Sequence, residues 1–368
     1  MKLFTCDVCS HVVYFENSQC LRCGARLAFD PKQAAMVAVA AEGALWVHVA
    51  DQNRRWRLCS NATYGACNWL IDSADDAAFC RACRHNRTIP DLSCEKRIEA
   101  WRRIEVAKRR LYYTILRLHL PAPAPGEGDH EPLVFNFLAD QPAMPQVMTG
   151  HQNGLITISL SEADDAEREK SRVRLGELYR TLLGHFRHEV GHYYWDRLVR
   201  DAGSDERHRF RALFGDERRD YARSLADYYN FGAPDDWQER FVSPYATVHP
   251  WEDWAETWAH YFHIVDTLEM AGAFGIRVQP DVPDAQFMGS RIDFDPHGVR
   301  DFQKIIDAWL PLTYAVNSLN RAMGQNDLYP FVINISLKSK LAYIHQLVMD
   351  NAARTRSADA TGVAESGV

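Results

Sequence analysis

The sequence predicts an α+β chain: a small β-rich head, then a mostly helical domain carrying a short mixed sheet. Three observations predict it. All nine cysteines lie within the first 94 of 368 residues. Short strand-like runs, Ala44–Ala50 and Arg55–Leu58, sit among them. Beyond the cysteines, apolar residues recur at three- and four-residue intervals over long stretches. Composition is that of a globular protein, 46% hydrophobic and 25% charged, which excludes a disordered chain, a collagen-like fibre or a small disulfide-stapled scaffold. The longest apolar-leaning run, Ala34–Ala50, is broken by Glu42 and Gly43 and falls short of the roughly 20 residues of a bilayer span. The N-terminus has no signal-peptide core, so the expected compartment is the cytoplasm, where thiols stay reduced.

In the head, residues 1–29, Cys6-Asp7-Val8-Cys9 and Cys20-Leu21-Arg22-Cys23 form two CxxC knuckles, ten residues apart. Two facing knuckles aim four thiolates at one point, a tetrahedral soft-ligand site that selects Zn²⁺. Gly24 suits the tight turn after the second knuckle. Residues 30–92 hold a third knuckle, Cys80-Arg81-Ala82-Cys83, with Cys59 and Cys67 as expected partners in a second structural zinc site. The alternative for Cys59 or Cys67 is a buried small apolar residue. Cys94 is left over and reads as a free thiol. Residues 1–120 carry 18 basic against 12 acidic side chains, within a net charge of −7 for the whole chain. Each four-thiolate zinc adds −2, so the basic excess of the head shrinks, and nucleic-acid binding is not expected.

Residues 93–351 read as one domain. Ser93–Leu120 is helical by the spacing of Ile98, Trp101, Ile104, Leu111, Ile115 and Leu118, and the Pro/Gly run 121–128 stops it. Leu133–Leu138 and Gly154–Leu160 read as strands. Helical periodicity returns over Gly176–Arg200, through the Trp-rich stretch after Pro250, and over Asp301–Asn320 and Leu337–Asp350, with Tyr329-Pro330-Phe331 packing near the last junction. Residues 352–368 are small and polar and are expected to be a disordered tail.

The chemistry concentrates in His188-Glu189-Val190-Gly191-His192. On a helix, positions i and i+4 share a face, so both imidazoles reach one metal, while Glu189 points at a water on it. This is the HExxH pattern of zinc peptidases. A catalytic zinc needs a third protein ligand and an open position. Candidates lie between His249 and His263. Trp251, Trp254, Trp258 and Phe262 mark a buried helix side, and carboxylates on such a helix, Glu252 and Glu256, need a metal or its ligand shell to explain them. His260 and His263 are rival ligands. Asp196 and His185, each about a turn from the motif, read as ordinary helix residues.

These residues resemble the gluzincins, whose third ligand is a glutamate on a later helix. Tyr245 followed by Glu252 and Glu256 resembles, over a short stretch, the site of lethal-factor-type toxin metallopeptidases. Across nearly the whole chain, the order of cysteine head, His188–Asp196 and His249–Tyr261 is similar to a bacterial family of zinc-binding metallopeptidases with an N-terminal zinc ribbon. The resemblance implies that His188, His192 and Glu252 bind the catalytic zinc and that Glu189 is the general base. It also implies that Tyr245 donates to the oxyanion and that Glu256 orients a histidine ligand.

The expectation is a zinc endopeptidase acting on a protein or peptide, with one catalytic and two structural zincs and a ribbon head that recruits a substrate or partner. The strand Leu155-Ile156-Thr157-Ile158-Ser159-Leu160 is expected to be an edge that holds an extended substrate by main-chain pairing. The alternative is an inactive or gated zinc-stabilised protein-binding module. Glu189 argues against it, since a purely structural metal has no use for an adjacent base.

Overall fold

The computed structural model describes residues 2–128, 131–141, 146–175, 180–283 and 285–365. The chain folds as α+β, and its packing forms two compact units, one built mainly from residues up to Arg168 and one from Glu169 onward.

The first unit opens with a two-stranded ribbon, β1 (Phe4–Thr5) and β2 (Val12–Val13), whose connecting turn carries Cys6 and Cys9, with Cys20 and Cys23 following β2. A five-stranded antiparallel meander follows: β3 (Arg26–Asp30), β4 (Ala35–Glu42), β5 (Leu45–His48), β6 (Arg55–Leu58) and β7 (Leu70–Asp72). Of these, β5 and β6 are the strands anticipated in the sequence. β3 and the first half of β4 are buried almost continuously, so they lack the two-residue period. Ala28, Val37, Val39, Trp56 and Leu70 form the core of this sheet, with Trp46 and Leu58 packed on it. Phe15, Phe29, Trp69 and Tyr113 make a neighbouring aromatic cluster, the Phe15 and Phe29 rings 4.8 Å apart.

β8 (Asn86–Thr88), α1 (Glu95–Arg117), β9 (Val134–Leu138), β10 (Gly150–Gln152) and β11 (Leu155–Ser159) complete the unit. The predicted mixed sheet is present, with strand order β10-β11-β9-β8. β11 is antiparallel to β10 and parallel to β9. This corrects the edge-strand expectation: Leu155, Ile156, Thr157, Ile158 and Ser159 pair with β9, Leu155–Thr157 pair also with β10, and Leu160 begins a short helical turn. A strand paired on both sides has no row of open N–H and C=O groups to offer a substrate. α1 and this sheet pack with the head, so the packing boundary falls near residue 168 rather than at residue 92. The charges of α1 are not all solvated: Lys108 and Glu105 are fully buried and pair at 2.9 Å.

α2 (Asp165–Leu175) spans that boundary. The second unit is helical: α3 (Leu182–Trp195), α4 (Ser204–Phe214), α5 (Tyr221–Phe231), α6 (Pro250–Ala273), α7 (Phe302–Ala322) and α8 (Ile335–Glu365). It also holds a small hairpin, β12 (Arg277–Val278) with β13 (Ser290–Arg291). Residues 176–179 of the expected Gly176–Arg200 helix lie outside the described residues. The observed helix is capped by Thr181, whose hydroxyl accepts from Gly184 N at 3.0 Å, and it continues past Trp195 as a wider turn through Arg200. α8 corrects the tail expectation, since it runs on through residues 352–365. Extending a packed helix needs no new nucleus, and Ala352, Ala353, Ala358, Ala360 and Ala364 favour it.

The closest helix pairing is α3 on α6. Gly191 makes it possible: a Cβ there would meet the Ala255 Cα at 3.0 Å and the Trp258 Cβ at 3.2 Å. Trp254, fully buried, donates its indole N–H to the Gly191 carbonyl at 2.8 Å. Lys340 of α8 pairs with buried Asp253 of α6 at 2.6 Å. Tyr329 packs where predicted, its ring 4.9 Å from Trp309 and its carbonyl accepting from Asn317. Among the described residues no helix is long and apolar enough to cross a membrane.

Candidate active site

Three groups of predicted ligands converge, in each case with the donor atoms within 4.8 Å of one another. The first is Cys6, Cys9, Cys20 and Cys23. Its Cys6–Cys23 and Cys9–Cys20 sulfur pairs lie 3.7 and 3.6 Å apart. The second is Cys59, Cys67, Cys80 and Cys83, with the Cys67 and Cys80 sulfurs 3.7 Å apart. A tetrahedron with Zn–S bonds of about 2.3 Å has edges of about 3.8 Å, so both groups fit zinc. Gly24, at φ +75°, closes the first site's knuckle by donating to the Cys20 carbonyl at 2.9 Å. In the second, Trp69 N–H points at the Cys67 sulfur (3.4 Å) and Cys80 N–H at the Cys59 sulfur (3.5 Å). Cys94 is exposed and joins neither group.

The third group is His188, His192 and Glu252. α3 presents the two imidazoles one turn apart, their Nε2 atoms separated by 3.2 Å. α6 supplies the carboxylate from its first turn. His249 caps that helix by accepting from Trp251 N at 3.2 Å, and Pro250 occupies the first helical position, where a missing N–H costs nothing. Glu252 Oε2 lies 3.0 Å from His188 Nε2, and Glu252 Oε1 lies 3.6 Å from His192 Nε2. Oε2 is buried and accepts no hydrogen bond among the described residues. A buried carboxylate that turns its orphaned oxygen to one imidazole nitrogen and its other oxygen toward a second is a nitrogen/oxygen donor set that a zinc ion would satisfy.

Glu256, one turn beyond Glu252, holds His188 from behind: its Oε1 is 2.7 Å from His188 Nδ1, and Ser243 Oγ donates to its Oε2 at 2.7 Å. That bond fixes the tautomer, leaving Nε2 as the ligating nitrogen. Burial opposes charge on His188, but Glu252 and Glu256 outweigh it and hold the imidazole well above its ordinary pKa, a local demand for positive charge. Burial likewise opposes ionisation of Glu252, and His192 and His188 reverse it, keeping the carboxyl well below its usual range. Glu189 is buried, and burial pushes its carboxyl up against the opposing pull of His188 and His192.

Tyr245 lies in a short helical turn, Tyr245–Thr247, its ring 6.1 Å from that of His188. Burial, then the Glu252 charge, raises its phenol far above the usual value, so it remains a hydrogen-bond donor. The rival histidines are occupied elsewhere. Buried His260 sits with its Nδ1 2.8 Å from the Tyr329 hydroxyl and its ring 4.4 Å from that of Phe331, and burial lowers its pKa to about 4. His263 Nδ1 meets Arg187. Asp196 pairs with Arg200 at 2.8 Å, away from the donor group.

A family model described as "Putative zinc-binding metallo-peptidase" matches residues 97–347, more than half of the chain. The chain belongs to that family. A zinc-ribbon model matches residues 3–94, covering both four-cysteine groups. The chain is 40% identical over 348 residues, 95% of each sequence, to an uncharacterized protein of Mycobacterium bovis and to uncharacterized proteins of two Mycobacterium tuberculosis strains. No solved structure matches it.

Sequence reasoning missed Tyr221, whose hydroxyl donates to Glu252 Oε1 at 2.9 Å, and Ser243. Tyr221 is the first residue of α5 and Ser243 lies between helices, and both meet the site only through residues distant in sequence, so nothing local marks them. It also missed a buried group, Asp266, Glu269 and His297. Here Arg187, adjacent to His188, pairs with Asp266, while His297 lies 3.1 Å from Asp266 and 3.6 Å from Glu269. Burial opposes charge on His297, but Asp266, Asp295 and Glu269 outweigh it and hold the imidazole above its ordinary pKa; with Arg187 on Asp266, the cluster links α3 and α6 through opposite charges.

Proposed function

We propose that this chain is a gluzincin-like zinc peptidase. The observation that carries the reading is the convergence of His188, His192 and the Glu252 carboxylate beside a buried glutamate, Glu189, on the same helix turn as the histidines. The donor set fits zinc, which when bound would lower the pKa of a coordinated water to about 7 and polarise the scissile carbonyl.

The remaining roles fall to the protein's own side chains. Glu189 takes the proton from the attacking water as the carbon–oxygen bond forms, then delivers it to the leaving nitrogen as the carbon–nitrogen bond breaks. Tyr245 donates to the carbonyl oxygen as it gains negative charge, an interaction strongest near the transition state. Glu256, anchored by Ser243, keeps the His188 ring from turning. The four-cysteine groups serve as structural zinc sites that hold the small β-head together.

Proteome-wide mapping of new N-termini tests this, comparing wild type with Glu189→Gln in otherwise identical cells. A set of cleavages present only with wild type is expected. Identical profiles would remove the assigned base.

A further inference from the structure

We infer that Tyr221 is a positioning residue that holds Glu252 as a one-oxygen metal ligand. The inference rests on the metal-site reading above and adds a role for a side chain outside the ligand set. The two carboxylate oxygens of Glu252 are not equivalent. Oε1 accepts the Tyr221 hydroxyl at 2.9 Å, whereas Oε2, buried 3.0 Å from His188 Nε2, accepts no hydrogen bond among the described residues. One oxygen is tethered to the protein and the other is left for a cation.

The tether is set independently of the carboxylate. Tyr221 is the first residue of α5, where Asp220 Oδ1 accepts from Arg223 N at 3.0 Å. Its ring lies edge-on to that of His249 at 5.4 Å and tilted 6.2 Å from Trp251. Those two residues begin the turn of α6 that carries Glu252, so the phenol is clamped to the same piece of backbone as the carboxylate it addresses. The consequence concerns coordination number. A carboxylate that binds through both oxygens fills a second position on a four-coordinate ion, and hydrolysis needs that position open. A hydroxyl bonded to Oε1 competes for that oxygen's lone pairs and biases the carboxylate toward Oε2 alone. Tyr245, its ring 6.1 Å from that of His188, is assigned to the substrate oxygen.

The test is Tyr221→Phe, which keeps the ring packing and removes one oxygen. Zinc affinity of the nitrogen/oxygen site is measured by competition with a mild chelator while the four-thiolate zincs stay bound. Coordination is read from the visible spectrum after Co²⁺ exchange confined to this site. Tyr221→Phe is expected to bind zinc about ten- to a hundredfold more weakly and to show the weaker absorption of a higher coordination number. Tyr245→Phe is expected to keep wild-type affinity and spectrum while slowing hydrolysis. Unchanged affinity and spectrum in Tyr221→Phe would overturn the inference while leaving the peptidase reading intact, and so would an equal loss in Tyr245→Phe. A wild-type protein that binds no metal at this site would overturn both.

Discussion

The second four-cysteine group and the His188–His192–Glu252 group are both built to gather donors around one point, yet they differ in closure. Cys59, Cys67, Cys80 and Cys83 are all buried, and four sulfurs complete a tetrahedron. In the other group the two histidines are half-buried and, among the described residues, three donors converge. Around them stand a buried carboxyl (Glu189) and two phenols (Tyr221 and Tyr245), groups for which the proposed hydrolysis has roles and a structural zinc has none. On the proposed reading, the number of donors and the company they keep separate a metal that holds a fold from one that performs chemistry.

Breaking the closed site should have the largest effect. Structural zinc contributes on the order of 10–16 kcal/mol in small zinc domains. Cys67→Ser is therefore expected to lose about one zinc and to expose the head to limited proteolysis within residues 1–94, while the helical unit keeps its helix signal by circular dichroism. Protection equal to wild type would show that the site is dispensable. At the open site, Glu189→Gln should leave the metal in place and slow peptide hydrolysis by about 10²–10⁴-fold, seen as a fall in kcat. Loss of the metal together with activity would instead make Glu189 part of the binding site.

Smaller effects sharpen the comparison. Glu256→Gln weakens the bond that orients His188, and zinc affinity should fall about 10–100-fold with the four-thiolate zincs untouched, measured by chelator competition. Gly191→Ala forces a methyl against Ala255 and Trp258 at the α3–α6 crossing. A destabilisation of about 1–3 kcal/mol is expected, read as a lowered Tm of the helical unit.

What was legible in the sequence depended on how local each signal is. The CxxC knuckles and the His188/His192 pair are set by spacing within one turn, and their ligands converge as that spacing requires. Glu252 and Glu256 were legible because a carboxylate on a helix faced with tryptophan demands a partner. The pairing of β11 was not, because β10 is a three-residue strand, Gly150–Gln152, too short to alternate. β3 and much of β4 hid because both faces are covered. Tyr221 and Ser243 stayed silent because their roles arise only when segments distant in sequence meet at Glu252 and Glu256. The helical continuation of α8 from residue 352 to Glu365 was not legible, because it extends a helix nucleated and packed upstream; residues 366–368 lie outside the described residues.

The measurement that bears most directly on the account is the zinc content of purified wild type beside His192→Ala, taken with the cysteines reduced and both proteins folded. About three zincs per chain are expected in wild type and about two in the variant, with hydrolysis lost only in the latter. Equal zinc in the two proteins would contradict the open metal site at His188, His192 and Glu252.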